Sequence, residues 1–564
     1  MRRVGPILLV LMLALLPGAV RAGFAERLQS RIEAELTRAP TAETAALQQF
    51  YVERGLRPLW SGSPAAARRA AALRAALAAA DREGLDPAFY RPGHLARLAR
   101  AGELAGRVEF EFDMSMALLR YVRDLRIGRI DPGYLQADLP PSDRARSPLV
   151  ILREAAAADN LTVWLASQSP QGPRYLRLKR LLAELRAVAA RGGWSVVPGD
   201  AVLKPGMVHP AVAVLRRRLV ESGDLPPEAA SGRRFDAVLE AAVRRFQMRH
   251  GLEVDGIVGR RTLAALNTPV DARIRQVILN LERRRWLPTD LGRRYILVNI
   301  AGFALEMVAR GATPFLEETL FTTEVVVGTP YHQTPVFSRP MTHIVLNPYW
   351  NVPPSIAVRE ILPRLRSDPG YLVREGFELL SGWEADARIL DPATIDWNAV
   401  SPRDFRYRFR QKPGPDNALG RLKFVLPNRY HVYLHDTPAR ELFRRARRAF
   451  SHGCVRLRDP RGLAVLLLAP AGWDRAALER AIESGERRVV RLPQPLPVHI
   501  TYFTAWVEKD GTAHFRDDIY GRDARLATLL FGGGGAARES GRIPGGEGAH
   551  AATRGDRCPQ RLPM

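Results

Sequence analysis

The spacing of hydrophobic residues changes along the chain and divides it into helical and strand-rich parts. In residues 24–200 apolar positions recur at i, i+3 and i+4, most clearly over 65–81, 104–125 and 176–191, and Gly or Pro residues separate these runs. This spacing is typical of amphipathic helices. No pair of acids and no metal-ligand pattern stands out there, so we predict a helical scaffold domain over 24–200.

Residues 203–267 predict a smaller helical unit of their own. Its first two helices each carry an apolar stripe, made of Val212, Leu215 and Leu219 in one and of Phe235, Leu239, Val243 and Phe246 in the other. Three glycines then supply turns before a last short helix that begins near Thr262. A helical connector is predicted to follow over 271–292.

From 293 to 500 the period shortens to that of β-strands. Segments such as YILVNI, TLFTTEVVVG and THIVLNPYW are rich in β-branched and aromatic residues and are separated by Gly, Pro and Asn turns. A block over 355–408 predicts a helical insertion that could form a lid. Residues 501–531 predict a β extension with a hairpin turn, and 532–564 predict a disordered tail, because Gly dominates and periodicity ends there. The predicted fold class is multidomain α+β.

The first 22 residues predict export. Arg2 and Arg3 precede a short apolar run, and Val20 and Ala22 suit a cleavage site after Ala22. A membrane span needs about 20 apolar residues, so a signal peptide over 1–22 is favoured over an uncleaved inner-membrane anchor, which stays open as the alternative. The chain would then meet the membrane only through this segment, before cleavage.

The charge of the chain is strongly positive. There are 84 basic and 59 acidic residues, the net charge is +25, and only five of the basic residues are Lys. Such a surplus attracts polyanions, among them nucleic acid, anionic lipid and an acidic cell-wall polymer. A compositional bias toward Arg and Ala explains it without any partner. Export argues against nucleic acid, so no nucleic-acid partner is predicted.

Two cysteines are too few for a disulfide framework or a Cys-rich zinc site, so each is explained singly. Cys558 falls in the predicted tail and is interpreted as incidental. Cys454 follows His435 by nineteen residues, across a predicted helix and the Ser-His-Gly turn at 451–453. A strand end and a following loop can meet in space, so His435 could serve as the base for a nucleophilic Cys454, and Gly453 would let a substrate carbonyl approach the backbone.

Residue chemistry alone leaves other interpretations of these side chains open. A lone Cys on a strand is often a small core residue, and a lone His beside it is often a hydrogen-bonded structural residue. Cys454, His452 and His435 could also bind zinc, although a fourth protein ligand with suitable spacing is missing from the pattern. The residues around the two histidines decide between these interpretations.

The stretch from His435 to Arg456 reads HDTPARELFRRARRAFSHGCVR, and SHGCVRL preceded by a His at this distance resembles the signature of the L,D-transpeptidase (YkuD-type) family. VVVGTPYHQTPVFS, LNPYWNVPPSIAVREILPRL and RQKPGPDNALGRLKFVLPN are similar to the large Gram-negative subgroup of that family, as is the scaffold over FYVERGLRPLW. The unit at 203–267 resembles a three-helix peptidoglycan-binding module through HPAVAVLRRRL and DGIVGRRTLAALN. The resemblance covers about 24–520.

The resemblance implies acyl transfer on peptidoglycan stem peptides, with no cofactor or metal. Cys454 would attack the carbonyl of the third residue of a tetrapeptide stem, the terminal D-Ala would leave, and an amine of a second stem would complete a 3→3 cross-link. His435 would be the general base. His452 would orient the site, with backbone N–H groups of His452, Gly453 and Cys454 as the oxyanion hole. The residues implied in substrate binding are Arg456, Ser451, Tyr349, Trp350, Asn351 and Tyr433.

The physiological acceptor stays open at this point. Water would make the protein an L,D-carboxypeptidase, and a protein lysine would make it an enzyme that links protein to peptidoglycan. A wall-binding scaffold without catalysis is a further alternative, favoured by the binding module and the basic charge. The resemblance implies a periplasmic protein of peptidoglycan biosynthesis, cell-wall organisation and cell shape.

Overall fold

Eight helices form the N-terminal part of the computed structural model, which describes residues 16–199, 201–311 and 316–532, with side chains from Gly23 onward. The helices are α1 (Leu16–Arg38), α2 (Ala42–Glu53), α3 (Pro64–Ala78), α4 (Pro92–Leu98), α5 (Leu104–Ile127), α6 (Pro148–Ala157), α7 (Leu161–Ala166) and α8 (Pro173–Ala190). Polar N-caps start several of them, and the Thr41 and Thr44 side chains form a capping box on α2. The apolar stripes meet in one core around Leu47, Leu118 and Val122.

Two predictions fall wholly or largely outside the described residues. The basic start and most of the apolar run of the predicted signal peptide lie in 1–15, and the predicted tail with Cys558 lies beyond 532. Helix α1 continues through the position of the predicted cleavage after Ala22, and cleavage there stays a prediction. Within the described part of the chain, no helix is long and apolar enough to cross a membrane.

Three further helices form the small unit, α9 (Pro210–Glu221), α10 (Ala237–Arg249) and α11 (Arg260–Leu266). The two predicted stripes bury completely against each other. The chain enters and leaves this unit at one place, which we call the neck. There Val197 N–H donates to Asn267 Oδ1 at 2.9 Å, Asn267 Nδ2 donates to Val197 O at 2.8 Å, and Trp194 Nε1 donates to Thr268 O at 2.9 Å.

Helix α12 (Val270–Trp286) joins the unit to the β-rich domain and packs along α8. Its inner face carries polar groups that hold neighbouring segments. Arg285 pairs with Glu282 at 3.1 Å, and both are fully buried. Asn280 accepts from the backbone N–H of Thr504 and donates to the Thr504 hydroxyl group, each at 2.9 Å. The connector is therefore held in place between the scaffold and the β-rich domain by buried polar contacts.

A nine-stranded sheet forms the β-rich domain. Its strands are β1 (Arg294–Asn299), β2 (Ala304–Arg310), β3 (Glu317–Gly328), β4 (Phe337–Leu346), β9 (Leu422–Val425), β10 (Leu434–His435), β11 (Ala449–Ser451), β12 (Val455–Leu457) and β13 (Arg488–Thr501), with β5 to β8 placed in a second sheet below. The order is β11-β3-β12-β10-β9-β4-β13-β1-β2, and a further pairing of β2 with β3 closes the sheet on itself. Helices α16 (Pro460–Leu468) and α17 (Arg475–Glu483) cover its core.

The insertion predicted as helical over 355–408 contains a sheet as well as helices. Its helical elements are α13 (Pro354–Ile356), a π-helical turn (Ala357–Ile361), α14 (Leu362–Ser367) and α15 (Tyr371–Arg374). Its strands are β5 (Trp350–Asn351), β6 (Phe377–Leu380), β7 (Ile389–Leu390) and β8 (Arg408–Gln411), in the order β5-β8-β6-β7. The purely helical prediction is corrected here: strands this short give little periodic signal, and pairing of β6 with β8 makes their core with Leu379 and Phe409.

The C-terminal extension is also mixed. The predicted hairpin forms from β14 (Ala505–Val507) and β15 (Ala513–Phe515), but the segment ends in helix α18 (Arg522–Phe531) rather than in further β structure. Leu526 and Leu530 lie one turn apart and pack against Trp286 of α12, which explains the helix. The α+β multidomain class is confirmed.

Candidate active site

A cavity of about 490 Å³ lies between the closed sheet and the insertion. Nine of the ten site residues predicted from the sequence line it, namely Tyr349, Trp350, Asn351, Tyr433, His435, Ser451, His452, Cys454 and Arg456. The tenth, Gly453, forms the turn beside it. Residues separated by about a hundred positions in the chain therefore share one concave surface, which is the usual setting of a ligand site.

Parallel pairing of β10 with β12 puts the histidine and the cysteine on neighbouring segments of the sheet. Leu434 is paired with Val455 and His435 with Arg456, so Cys454, the residue just before β12, falls opposite Tyr433, two positions before His435. The helix predicted between them is a single 3-10 turn (Arg440–Arg444), followed by β11. This short crossover is what brings the strand end and the Cys loop together.

The turn at 451–453 is fixed by its own hydrogen bonds. The Ser451 hydroxyl group donates to Cys454 O at 2.5 Å and accepts from Gly453 N–H at 3.1 Å, and Thr334 Oγ1 donates to Gly453 O at 2.8 Å. Gly453 has φ +112, a region that favours glycine. Its N–H is thus committed to Ser451, whereas Cys454 N–H has no partner among the described residues. Both hydrogen bonds of the Ser451 hydroxyl group therefore stabilise this turn.

The Cys454 thiol is held as a neutral group. It donates to the backbone carbonyl of His431 at 3.9 Å, and His431 takes φ +55 to present that carbonyl. Burial raises the pKa of the thiol, and hydrogen bonds from the backbone N–H and hydroxyl group of Tyr433 lower it by a smaller amount. The protonated form is therefore favoured at rest.

His435 is likewise uncharged, and its tautomer follows from its contact. Nδ1 lies 2.5 Å from the backbone carbonyl of Asp436, and because a carbonyl only accepts, Nδ1 carries the proton and Nε2 is left basic. Burial lowers the pKa of His435 to about 3, and the Arg456 charge adds to this effect. The Asp436 carboxylate accepts from Arg421 N–H at 2.8 Å and from Arg440 at 2.5 Å, which pins the segment. No hydrogen bond joins His435 to Cys454 in this conformation.

Two cations without acid partners face the same cavity. Arg456 forms no hydrogen bond or ion pair with any described residue, and its buried Nε is unsatisfied. Lys423, on β9 directly opposite His435, lies 4.0 Å above the Tyr433 ring, and burial lowers its pKa. Sequence reasoning missed Lys423. Its signal was available, since it is one of only five Lys in a chain dominated by Arg and sits in a strand.

The insertion contributes a carboxylate that sequence reasoning also missed. Glu360 Oε1 lies 2.6 Å from His452 Nε2, and the ring of His332 lies 4.7 Å from that of His452. On the other wall, Arg410 lies 4.7 Å over the Tyr349 ring, and the Trp350 ring lies 6.0 Å from that of Phe377. The insertion thus touches the Cys loop and forms part of the cavity.

Zinc was one alternative for Cys454, His452 and His435. Across the residues that the structure describes, no three His, Cys, Asp or Glu side chains come close enough to share a metal ion. Each of the three side chains contacts a different group instead. The thiol of Cys454 contacts the backbone carbonyl of His431, His435 contacts the backbone carbonyl of Asp436, and His452 contacts the Glu360 carboxylate. This arrangement suits proton transfer and nucleophilic attack.

Comparison with known families identifies three domains. The sequence model of the scaffold domain matches residues 45–182, that of a peptidoglycan-binding domain matches 208–266, and that of the YkuD L,D-transpeptidase catalytic domain matches 293–476. The resemblance found in the motifs is confirmed at this level. The matched ranges follow the helical, three-helix and β-rich parts of the fold in order.

One curated relative and two solved structures are similar to parts of this chain. A protein of Haemophilus influenzae (strain ATCC 51907 / DSM 11121 / KW20 / Rd) named "Putative L,D-transpeptidase" is 34% identical over 251 residues, which are 44% of this chain and 48% of that protein. The chain thus spans about half the length of this relative. An L,D-transpeptidase structure from Mycobacterium smegmatis is 12% identical, with 37% of this chain and 58% of that chain covered and a TM-score of 0.17. One from Xylanimonas cellulosilytica DSM 15894 is 14% identical, with 54% and 99% covered and a TM-score of 0.14.

Proposed function

Because the chain contains a catalytic domain of the YkuD L,D-transpeptidase family together with scaffold and peptidoglycan-binding domains, we propose that it is a cysteine acyltransferase that forms 3→3 cross-links between peptidoglycan stems. One observation carries the proposal. A single cavity holds the Cys454 thiol, the unprotonated Nε2 of His435 and two cations that lack acid partners. These are the parts that thioester chemistry on a charged peptide requires.

Acylation begins as Cys454 Sγ attacks the carbonyl carbon of the third residue of a tetrapeptide stem. The thiol proton passes to His435 Nε2 during the attack, because both groups are neutral at rest and neither charge is stable in the buried site alone. The C–N bond to the terminal D-Ala then breaks, and the same proton goes to the leaving amine. A thioester on Cys454 remains.

Transfer reverses these steps with a second stem. The side-chain amine of its third residue attacks the thioester carbon, His435 takes the amine proton, and the sulfur leaves as a thiol after it recovers that proton. The thioester stores the energy of the amide bond. The chemistry balances without an external energy source.

The oxyanion of both tetrahedral intermediates needs preorganised donors. The Cys454 N–H is free to donate, whereas the Gly453 N–H would have to leave Ser451 Oγ first. The Tyr433 side chain, which lowers the pKa of the thiol, supplies a hydroxyl donor on the same wall of the cavity. We therefore assign the oxyanion to Cys454 N–H and Tyr433, with Gly453 chiefly shaping the turn.

Recognition of the stem rests on charge. A tetrapeptide stem carries carboxylates, and a guanidinium group can hold one with two parallel hydrogen bonds. Arg456 and Lys423 are the cations of the cavity that have hydrogen-bonding capacity to spare. Tyr349, Trp350 and Asn351 form the wall along which the peptide would lie.

The place of action is proposed to be the periplasm. The charged start and apolar run of 1–22 suit export, and the peptidoglycan-binding domain suits a wall substrate. Donor and acceptor stems are then the partners of the chain.

The decisive experiment is intact-mass analysis of the protein with a stem tetrapeptide. The wild-type chain should gain the mass of the tripeptide acyl group, because D-Ala leaves, and Cys454→Ser should gain none. Cys558→Ser is the matched control and should acylate normally. Adduct on Cys454→Ser with its melting temperature unchanged would overturn the assignment. Mass analysis of digested wall would then show cross-linked dimers, rather than trimmed tripeptides or protein adducts.

A further inference from the structure

A second cavity of about 490 Å³ lies where the scaffold, α12 and the closed sheet meet, away from the Cys454 site. Its wall takes residues from the loop at 143–146, from the start of α8, from the end of α12 and from β2 and β3. Six arginines line it, against two acids, Asp143 and Glu317. Nothing in the proposed chemistry uses it.

Four of the six arginines are already satisfied or exposed. Arg174 pairs with Glu306 at 2.8 Å and with Glu317 at 2.9 Å, and Arg310 pairs with Asp290 at 2.9 Å. The other two are Arg126, which donates to Gln168 Oε1 at 2.8 Å, and Arg146, which is exposed to solvent. Their charges are compensated or screened.

Arg284 and Arg144 differ from these four. The side chain of Arg284 has no hydrogen bond or ion pair with any described residue, its Nε is buried and unsatisfied, and its guanidinium lies 4.3 Å over the Phe503 ring. Arg144 donates through Nη2 to backbone carbonyls at the end of α12, among them Leu287 O at 3.1 Å, and its Nε is also buried and unsatisfied. Burial lowers the pKa of each to about 10. Two half-buried cations thus stand in one cavity, and neither forms an ion pair with a described acid.

Neutral donors converge on the same space. Gly172, the N-cap of the 18-residue α8, offers no side-chain cap, Pro173 has no N–H, and the Arg174 N–H has no acceptor among the residues described. The N-terminal end of a helix favours negative charge. Ser169 is 3% exposed, and its hydroxyl group is without a partner. The cavity therefore contains several hydrogen-bond donors that lack an acceptor: two guanidinium groups, the start of α8 and the Ser169 hydroxyl group.

We propose that this cavity binds a doubly charged oxyanion, carried by a phosphate group or a dicarboxylate, between Arg144, Arg284 and the start of α8. Two negative charges match the two guanidinium groups that form no ion pair, and oxyanion geometry suits their planar donors. The wall is built from all three neighbouring parts of the fold. Ligand binding would therefore clamp the scaffold to the catalytic sheet and stabilise the whole chain.

Isothermal titration of the full chain with inorganic phosphate, and separately with malonate, tests this at constant ionic strength. Saturable binding of one or both is expected, and the better ligand identifies the class of anion. Arg284→Gln should weaken that binding by about tenfold or more, because a charge-assisted hydrogen bond is lost. Arg100→Gln, which removes the same charge from an exposed site on the scaffold, should leave the dissociation constant within about twofold.

A second variant keeps the test valid if Arg284→Gln fails to fold. Ser169→Ala keeps every charge, should keep the circular dichroism spectrum, and should weaken binding several-fold. Absence of saturable binding of both anions to the wild-type chain up to about 10 mM would overturn the proposal, as would equal losses in Arg284→Gln and Arg100→Gln. No step uses catalysis, so this outcome is separate from the fate of the proposed function.

Discussion

Cys454 and His435 form a neutral pair, and this sets how the thiol should respond to pH. Burial raises the pKa of the thiol and lowers that of the imidazole to about 3, so an ion pair of thiolate and imidazolium is disfavoured at rest. The folded-state pKa of His435 lies below its unfolded value. The contribution of His435 to the free energy of unfolding is therefore fully present above the usual pKa of His. It is lost as the pH falls from that pKa toward about 3.

The alkylation rate of Cys454 by iodoacetamide should therefore rise with pH and reach its midpoint above the usual thiol value of about 8.5. The measurement uses a Cys558→Ser background and follows the mass of the intact chain from about pH 5 to about pH 10. The urea-unfolded chain is the control and should titrate near the usual value. A midpoint well below neutrality would show an ion pair and contradict the neutral assignment.

Gly420 lies against Asp436, whose backbone carbonyl contacts His435. It takes φ +58, and a Cβ there would meet Asp436 Cγ and Cβ at 2.4 and 2.6 Å. Gly420→Ala should thus displace Asp436, whose carbonyl orients His435, and lower both the melting temperature and kcat. Gly485→Ala is the matched control, because Gly485 has φ +71 with open space around it. This control variant should lose only about 1 kcal/mol of folding free energy, from backbone strain, and its kcat should not change. Equal kcat in both variants would contradict the positioning argument.

At the scale of elements, the insertion is fastened to the Cys loop by one close polar contact. Glu360 in the π-helical turn meets His452 at 2.6 Å, and both side chains are partly exposed. An exposed pair of this kind contributes about 0–1 kcal/mol to stability. It is therefore suited to hold the insertion against the site without locking it there.

Glu360→Gln should loosen this contact and speed hydrogen–deuterium exchange over 354–367, while the melting temperature changes little. Glu384→Gln, on an exposed loop of the same insertion, is the control and should leave the exchange of that segment unaltered. Exchange that is identical in the two variants would show that the insertion is held by its apolar contacts instead.

Local patterns predicted the elements whose signal lies within the segment itself. The stripes of α9 and α10 and the hairpin of β14 and β15 could be read from spacing, and so could the cysteine loop. Pairings between distant segments could not. The β6–β8 pairing in the insertion and the parallel pairing of β1 with β13 depend on contacts that no window of sequence contains.

The same limit explains the site. His435 and Cys454 were found because their spacing forms a motif, whereas Lys423 and Glu360 reach the cavity from other elements and lack one. The sequence also could not show whether the Gly453 N–H is available to a substrate. In the fold it donates a hydrogen bond to the Ser451 hydroxyl oxygen. The types of residue thus predict which reaction is possible. The hydrogen bonds formed in the fold decide which donor and acceptor atoms can take part in that reaction.

At the scale of the whole molecule, part of the large Arg content is structural. Arg218 is 2% exposed and donates to Leu266 O at 2.8 Å, Arg285 pairs with Glu282 inside the protein, and Arg216 donates to Ala229 O at 2.9 Å. Such side chains hold carbonyls and acids and present little charge to a polyanion. The net charge of +25 therefore overstates the attraction of the surface for an anionic wall.

The three-helix unit should be removable without loss of acylation. The neck brings its two ends together, so replacing 199–265 with a short Gly-Ser linker leaves Val197 and Asn267 in place. We expect the shortened chain to acylate on Cys454 at a rate within about threefold of wild type and to lose most sedimentation with purified wall sacculi. A variant with the unit intact but Cys454→Ser is the control and should still sediment. A shortened chain that sediments as before would place wall binding elsewhere.

The neck has a mechanical consequence. A wall under osmotic tension pulls on anything that grips it, and here the pull would enter through the three-helix unit. Because chain entry and exit are joined by the hydrogen bonds of Val197, Asn267 and Trp194, they would carry the load together before it reached α12. The unit also contacts the segment before β11, where the Ala446 N–H donates to Glu253 Oε1 at 3.3 Å, so the neck would share the load with this contact. Under the proposed function, stretching of the wall would therefore be transmitted both to α12 and to the segment that leads to Cys454.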